Sequence, residues 1–153
     1  MKNNNKGITL VALVITIIVL LILAGVTIAS LSGDNGILTR GSQAKIDNEV
    51  GNAKDIINLA ANEGLAAYYG KTYSNIAYES GIVPSTNDEK GAVIAYINNA
   101  LTKNKMEPVT PGTSKGFEII SDKKSGVYKI NYDGATKATA TVGTKGEIAW
   151  TNK

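Results

Sequence analysis

Any chemistry in this chain has to be done without histidine or cysteine, because it contains neither. That removes the side chain that most often moves protons near neutral pH, and the thiolate nucleophile as well. Acids, lysines and hydroxyls remain. Asp88 and Glu89 are adjacent and suit the start of a helix better than an acid–base pair. Asp122 and Asp133 stand in turn-like stretches, with Glu118 and Glu147 on or beside strands. Calcium takes about six to eight oxygens, usually from several acids in one loop. These acids are scattered, so they read as turn and strand residues, and no metal site is expected. A lone serine or lysine needs a positioned base or desolvation to act as a nucleophile, and no motif supplies either. There is no glycine-rich phosphate loop. No catalytic residue and no cofactor is expected, so the chain does not read as an enzyme.

The spacing that does point to chemistry surrounds one peptide bond. Lys6-Gly7-Ile8-Thr9 sets a glycine between the basic stub Met1–Lys6 and a run free of charge through Gly33. The apolar part, Ile8 to Ala29, exceeds the about 20 residues that a membrane-spanning helix needs. Lys2 and Lys6 precede it and the first acid, Asp34, follows. Positive charge stays inside, which puts the N-terminus in the cytoplasm and the remainder outside. An ordinary secretory signal is cut after its apolar segment, and that segment is usually about 7–15 residues. A cut near Ala29 would require a much longer one. Here the break in polarity comes before the run.

This junction resembles the prepilin signal of the type IV pilin and pseudopilin superfamily. The likeness is close over about the first 35 residues. It implies cleavage by a prepilin peptidase between Gly7 and Ile8, and N-methylation of the new amine on Ile8. The apolar helix then stays on the mature chain, first as a membrane anchor and later as a filament core. The partners implied are further copies of the chain, the peptidase/methylase, an assembly platform with its ATPase, and lipid before assembly. Most of the family has Glu at the fifth mature residue, which is Ala12 here. In those relatives the carboxylate meets the terminal amine of a neighbouring subunit, and pairing makes burial of both charges tolerable. Family members without that Glu include tip-located minor pseudopilins and a group of Gram-positive pilin-like proteins, which the stretch Gly7 to Leu38 resembles. Ala12 therefore bears on whether the chain is a main or a minor subunit.

Loss of Lys2 and Lys6 with such a leader leaves 14 basic groups, from 16, against 13 acidic ones. The lysines are spread singly apart from Lys123-Lys124, so no basic patch points to nucleic acid as a direct ligand. Gly25 interrupts the run and would let neighbouring helices approach closely, as small residues do in membranes, or mark local unwinding. Thr16 and Thr27 can bond back to their own helix.

The elements that must carry this junction follow from periodicity. Gly33, Asp34, Asn35 and Gly36 form a breaker cluster after the helix 8–33. An amphipathic helix is expected over 34–70, with Ile46, Val50, Ala53, Ile57, Ala60, Gly64 and Tyr68 on one stripe and Gly70 as its stop. Residues 71–87 read as loop. Thr86-Asn87-Asp88-Glu89 fits a capping box for a short helix 87–102 that buries Val93, Ile97 and Leu101. Residues 103–116, with Pro108 and Pro111, read as an exposed loop. Strands are expected near 117–121, 126–132, 135–142 and 147–151, with Asp133-Gly134 as a two-residue hairpin. Tyr128, Ile130 and Tyr132 fall on one face, as do Ala138, Ala140 and Val142. The tyrosines should pack on element faces with their hydroxyls exposed. The fold class expected is α+β: a leader 1–7, a hydrophobic spine helix, and a head 71–153 whose antiparallel meander 117–151 lies against helix.

Overall fold

A long apolar run without proline has no reason to leave the helix, and it does not. The computed structural model describes residues 5–34, 36–110 and 115–152, with side chains from Thr9 onward. Helix α1 spans Asn5–Ser32 and α2 spans Ile37–Ser74. Residues 1–4 of the expected leader, Asn35 and Pro111 lie outside the described residues. The chain forms two compact units, Met1–Lys45 and Ile46–Lys153.

In the first unit, α1 ends where the glycines begin. The N–H of Gly33 still bonds the carbonyl of Ala29 at 3.1 Å, and that of Gly36 bonds Gly33 at 2.6 Å. Helix then resumes, with Arg40 N–H on the Gly36 carbonyl at 3.0 Å. The second helix thus starts at Ile37 and not at 34, because the breaker cluster takes its residues out of the helix. Position 36 has to be glycine: a Cβ there would fall 2.6 Å from the Leu31 carbonyl oxygen.

In the second unit, the rest of α2 carries the expected stripe. Ala53, Ile57, Ala60 and Gly64 are buried together with Ala61, while Ile46, Val50 and Tyr68 are half-buried. The helix runs on past Gly70 to Ser74. Asn75 takes the left-handed conformation (φ 52) that asparagine tolerates at helix ends, and the Ile76 N–H closes on the Gly70 carbonyl at 3.1 Å. The expected loop 71–87 is helical over its first turn for this reason.

Helix α3 spans Glu89–Lys103. Its cap departs from the expected box. Asp88, not Thr86, is the N-cap and accepts from Gly91 N–H at 2.7 Å, while the Thr86 hydroxyl donates to Asp88 Oδ1 at 2.7 Å. Asp88, two residues nearer the helix, takes the cap, and the Thr86 hydroxyl holds its carboxylate in place. Val93, Ile97 and Leu101 are buried as the spacing requires.

The sheet is a meander in the order β1 (Phe117–Ile120), β2 (Val127–Tyr132), β3 (Ala135–Val142), β4 (Ile148–Asn152), antiparallel throughout. Asp133 and Gly134 both have positive φ, 49 and 76, as the tightest hairpin turns demand. Two features depart from simple alternation. Between β2 and β3 the partners step from Ala138 to Thr136, so Lys137 is bulged out of the ladder. The stretch after α3 is also not a free loop: Pro108 is buried, and Val109 bridges to Ile120, with Val109 N–H on Ile119 O at 2.9 Å and Ser121 N–H on Val109 O at 3.1 Å. It covers part of the open edge of β1, which an unpaired strand would otherwise expose.

The core of this unit joins α2, α3 and the sheet through Ile57, Val93, Ile97, Leu101, Ile119, Tyr128, Ile130 and Val142. Each such side chain stabilises by roughly 1.5–3 kcal/mol on burial. The architecture is α+β, a long apolar N-terminal helix followed by a helix-backed four-stranded antiparallel sheet, in the layout that the pilin resemblance implies.

Candidate functional site

The feature with most surface and least cover is α1 itself. Every described side chain from Thr9 to Leu31 is exposed, including Leu10, Leu13, Leu20, Leu21 and Ile28, and none of its apolar span is buried inside the chain. It is long and apolar enough to cross a membrane. Its polar atoms are turned inward. Thr16 donates to Leu13 O at 2.8 Å, Thr27 to Leu23 O at 2.5 Å and Ser30 to Val26 O at 2.9 Å. Hydroxyls satisfied on their own helix add little cost in an apolar solvent. A Cβ on Gly25 would meet nothing within 4 Å, so that glycine leaves a notch on an already bare surface.

The expected processing residues lie at the start of this helix. Gly7 and Ile8 have helical backbone within the first turns of α1. Ala12, where most of the resembled family has Glu, is one of the exposed positions. The break places Gly33 and Gly36 in one turn, which the Thr39 hydroxyl also closes by donating to Gly33 O at 3.1 Å. Asp34 is exposed beside them, and Asn35 lies outside the described residues.

Four acids of the C-terminal unit, Asp88, Asp122, Asp133 and Glu147, accept from backbone N–H groups. Asp122 accepts from Lys124 N–H at 2.9 Å and Ser125 N–H at 2.5 Å, which hold its carboxyl below the usual range. Asp133 accepts from Gly116 N–H at 2.6 Å, and Glu147 from Lys145 N–H at 3.0 Å. Asp88 is depressed by its bond from Thr86 and then by Gly91 N–H. Among the described residues no three acids gather to hold a metal. Ion pairs are exposed: Lys103 with Glu79 at 2.8 Å, raising the Lys103 amine, and Lys123 with Glu107. Such pairs contribute little.

The tyrosines depart from the expectation of exposed hydroxyls at Tyr78, whose hydroxyl is shielded from solvent, and at Tyr128. Tyr128 is fully buried, donates to Asn98 Oδ1 at 3.0 Å, and has its phenol pushed far above the usual range by burial. Glu118, expected on or beside a strand, lies on β1 and is buried.

Comparison with protein-family models, with curated proteins and with solved structures gives no match.

Proposed function

We propose that this chain is a structural subunit of a surface filament of the type IV pilus or type II secretion kind, assembled through α1 after removal of a leader at Gly7–Ile8. The observation that carries this reading is the uncovered apolar surface of α1 directly after a basic stub and a glycine. Such a surface has to be covered by something, and the chain covers none of it. Lipid serves before assembly and other copies of the same helix serve in the filament. Exchange between two apolar surroundings costs little, which lets an assembly ATPase drive extension. In this reading the N-terminus is cytoplasmic and the second unit is carried outside, where the finished filament displays it. The methylated amine of Ile8 and the break at Gly33–Gly36 belong to the same assembly. No cofactor takes part.

Ala12 favours a second reading. Without a carboxylate there to meet a neighbour's amine, the chain would be a single-pass anchored binding module, or a minor subunit outside the filament body. Intact mass and N-terminal peptide mapping of the protein from its native cells test the first step. A chain that starts at methylated Ile8 supports prepilin processing; one that starts at Met1 leaves a permanent anchor. Shearing the cells separates the rest, because filament subunits leave with the sheared fraction and an anchor stays with the membrane.

A further inference from the structure

The core face of the sheet carries a row of paired residues, Ile119 on β1, Ile130 on β2 and Ala138 on β3. One step along the strands, on the opposite face, the register pairs Glu118 with Asn131 and Asn131 with Thr136. A face turned away from the core is ordinarily wet. Here Glu118 is 7% exposed and Asn131 6%, and Thr136 is half-buried. Both carboxylate oxygens of Glu118 and Oδ1 of Asn131 are shielded from solvent, and no donor of the protein bonds to any of the three. Side chains at directly paired positions stand with their Cβ atoms about 4.5–5.5 Å apart, so these acceptors converge. The lysines nearby do not resolve this. Lys105 lines the same surface pocket as Glu118 but is exposed, Lys129 shares the face of β2 but is exposed, Lys137 is the bulged residue, Lys115 is exposed beyond the start of β1, and none of them bonds to Glu118.

A carboxylate buried among acceptors is strongly unfavourable unless positive charge meets it or it takes up a proton. The ligand set is all oxygen, which suits a hard cation and excludes the nitrogen- and sulfur-seeking metals. The oxygens are enclosed, so the ammonium of another molecule's side chain does not reach them. One carboxylate supplies one negative charge, which a monovalent ion neutralises and a divalent one overshoots.

We propose that Glu118 and Asn131, with Thr136 beside them, hold a monovalent alkali cation of sodium size on the outer face of the sheet. The ion ties β1, a four-residue edge strand, to the two strands that follow it. This inference stands whether or not the chain forms filaments.

The test uses the full chain in detergent micelles, with unfolding of the second unit followed by near-ultraviolet circular dichroism of its aromatic residues. Choline chloride, sodium chloride and potassium chloride are compared at equal ionic strength, with millimolar calcium chloride in choline as a fourth condition. Sodium raises the Tm above choline, by about 5 °C where it reaches about ten times its Kd. Glu118→Gln abolishes that difference, because it removes the carboxylate that holds the ion. Asn131→Asp adds a second carboxylate and converts the site to one that calcium stabilises, which decides the matter if Glu118→Gln fails to fold. Equal melting of the natural chain in sodium, potassium and choline overturns the proposal in favour of buried water or a neutral Glu118. Stronger stabilisation of the natural chain by calcium than by sodium overturns it in favour of a divalent site.

Discussion

Gly64 on α2 lies so close to α3 that a Cβ on it would fall 2.8 Å from the Cα of Val93 and 3.1 Å from the carbonyl oxygen of Ala92. The neighbour is backbone and cannot rotate away. Gly64→Ala should therefore force the two helices apart and destabilise the second unit by about 1–3 kcal/mol, as overpacking does. Gly51, on the same helix, meets nothing within 4 Å. Gly51→Ala should stabilise by about 0.5–1 kcal/mol through helix propensity alone. Urea unfolding of the two variants side by side checks both signs, and a Gly64→Ala protein as stable as the natural chain would remove the close-approach argument.

Asp88 caps α3, and its carboxyl is depressed by Thr86 and Gly91. A depressed carboxyl contributes stability that is present above its unfolded pKa and lost as pH falls through the folded one. Asp88→Ala should cost about 1 kcal/mol near neutral pH. Asp88→Asn should keep the cap and lose part of the acid sensitivity below the ordinary aspartate range. Asp122, depressed by its own turn, retains the remainder. Thermal melts from neutral to acid pH separate the two variants.

Tyr128 should be silent in an alkaline titration. Its phenol is buried and raised above the usual value of 10.0, so ultraviolet difference spectra should show it ionising only as the unit unfolds. The sign is that of a raised group: its contribution is whole below the unfolded pKa and falls as pH climbs from there toward the folded one. Tyr128→Phe leaves Asn98 Oδ1 without its donor and should cost about 1–2 kcal/mol.

Trp150 on β4 donates its indole N–H to Asn58 Oδ1 on α2 at 2.9 Å, and Lys54 lies over the same ring, 5.4 Å from its centre. Lys54 also donates to Asn152 at 2.7 Å. This pins the last strand to the helix. Asn58→Leu should raise the rate of amide exchange on β4 more than on β1 or β2, measured by hydrogen exchange.

Leu20 is at the middle of the bare helix and is exposed. Leu20→Lys should cost about 2.5–3.5 kcal/mol in membrane insertion and shift the chain out of the carbonate-resistant membrane fraction. Retention equal to the natural chain would argue against α1 as a membrane span.

The α+β outline was legible because each element has its own local signature. The uncharged run, the glycine cluster before Ile37, the stripe Ala53-Ile57-Ala60-Gly64 and the Asp133-Gly134 turn each act over a few residues. The end of α2 and the cap of α3 shifted by a turn or less, because Asn75 and Asp88 compete locally with Gly70 and Thr86 for the same roles. The bare helix and the Gly7–Ile8 junction are likewise properties of composition and order.

The residues by themselves determined which segments are helix or strand and which stretch is too apolar for water. Only the tertiary structure decided that Pro108 and Val109 cover the edge of β1, that Lys137 leaves the ladder, and that Glu118 and Asn131 are buried opposite each other. The physical reason is range. Propensity, capping and periodicity are set by neighbours within a turn or two along the chain, whereas the burial of a strand's outer face depends on pairing between residues far apart in sequence.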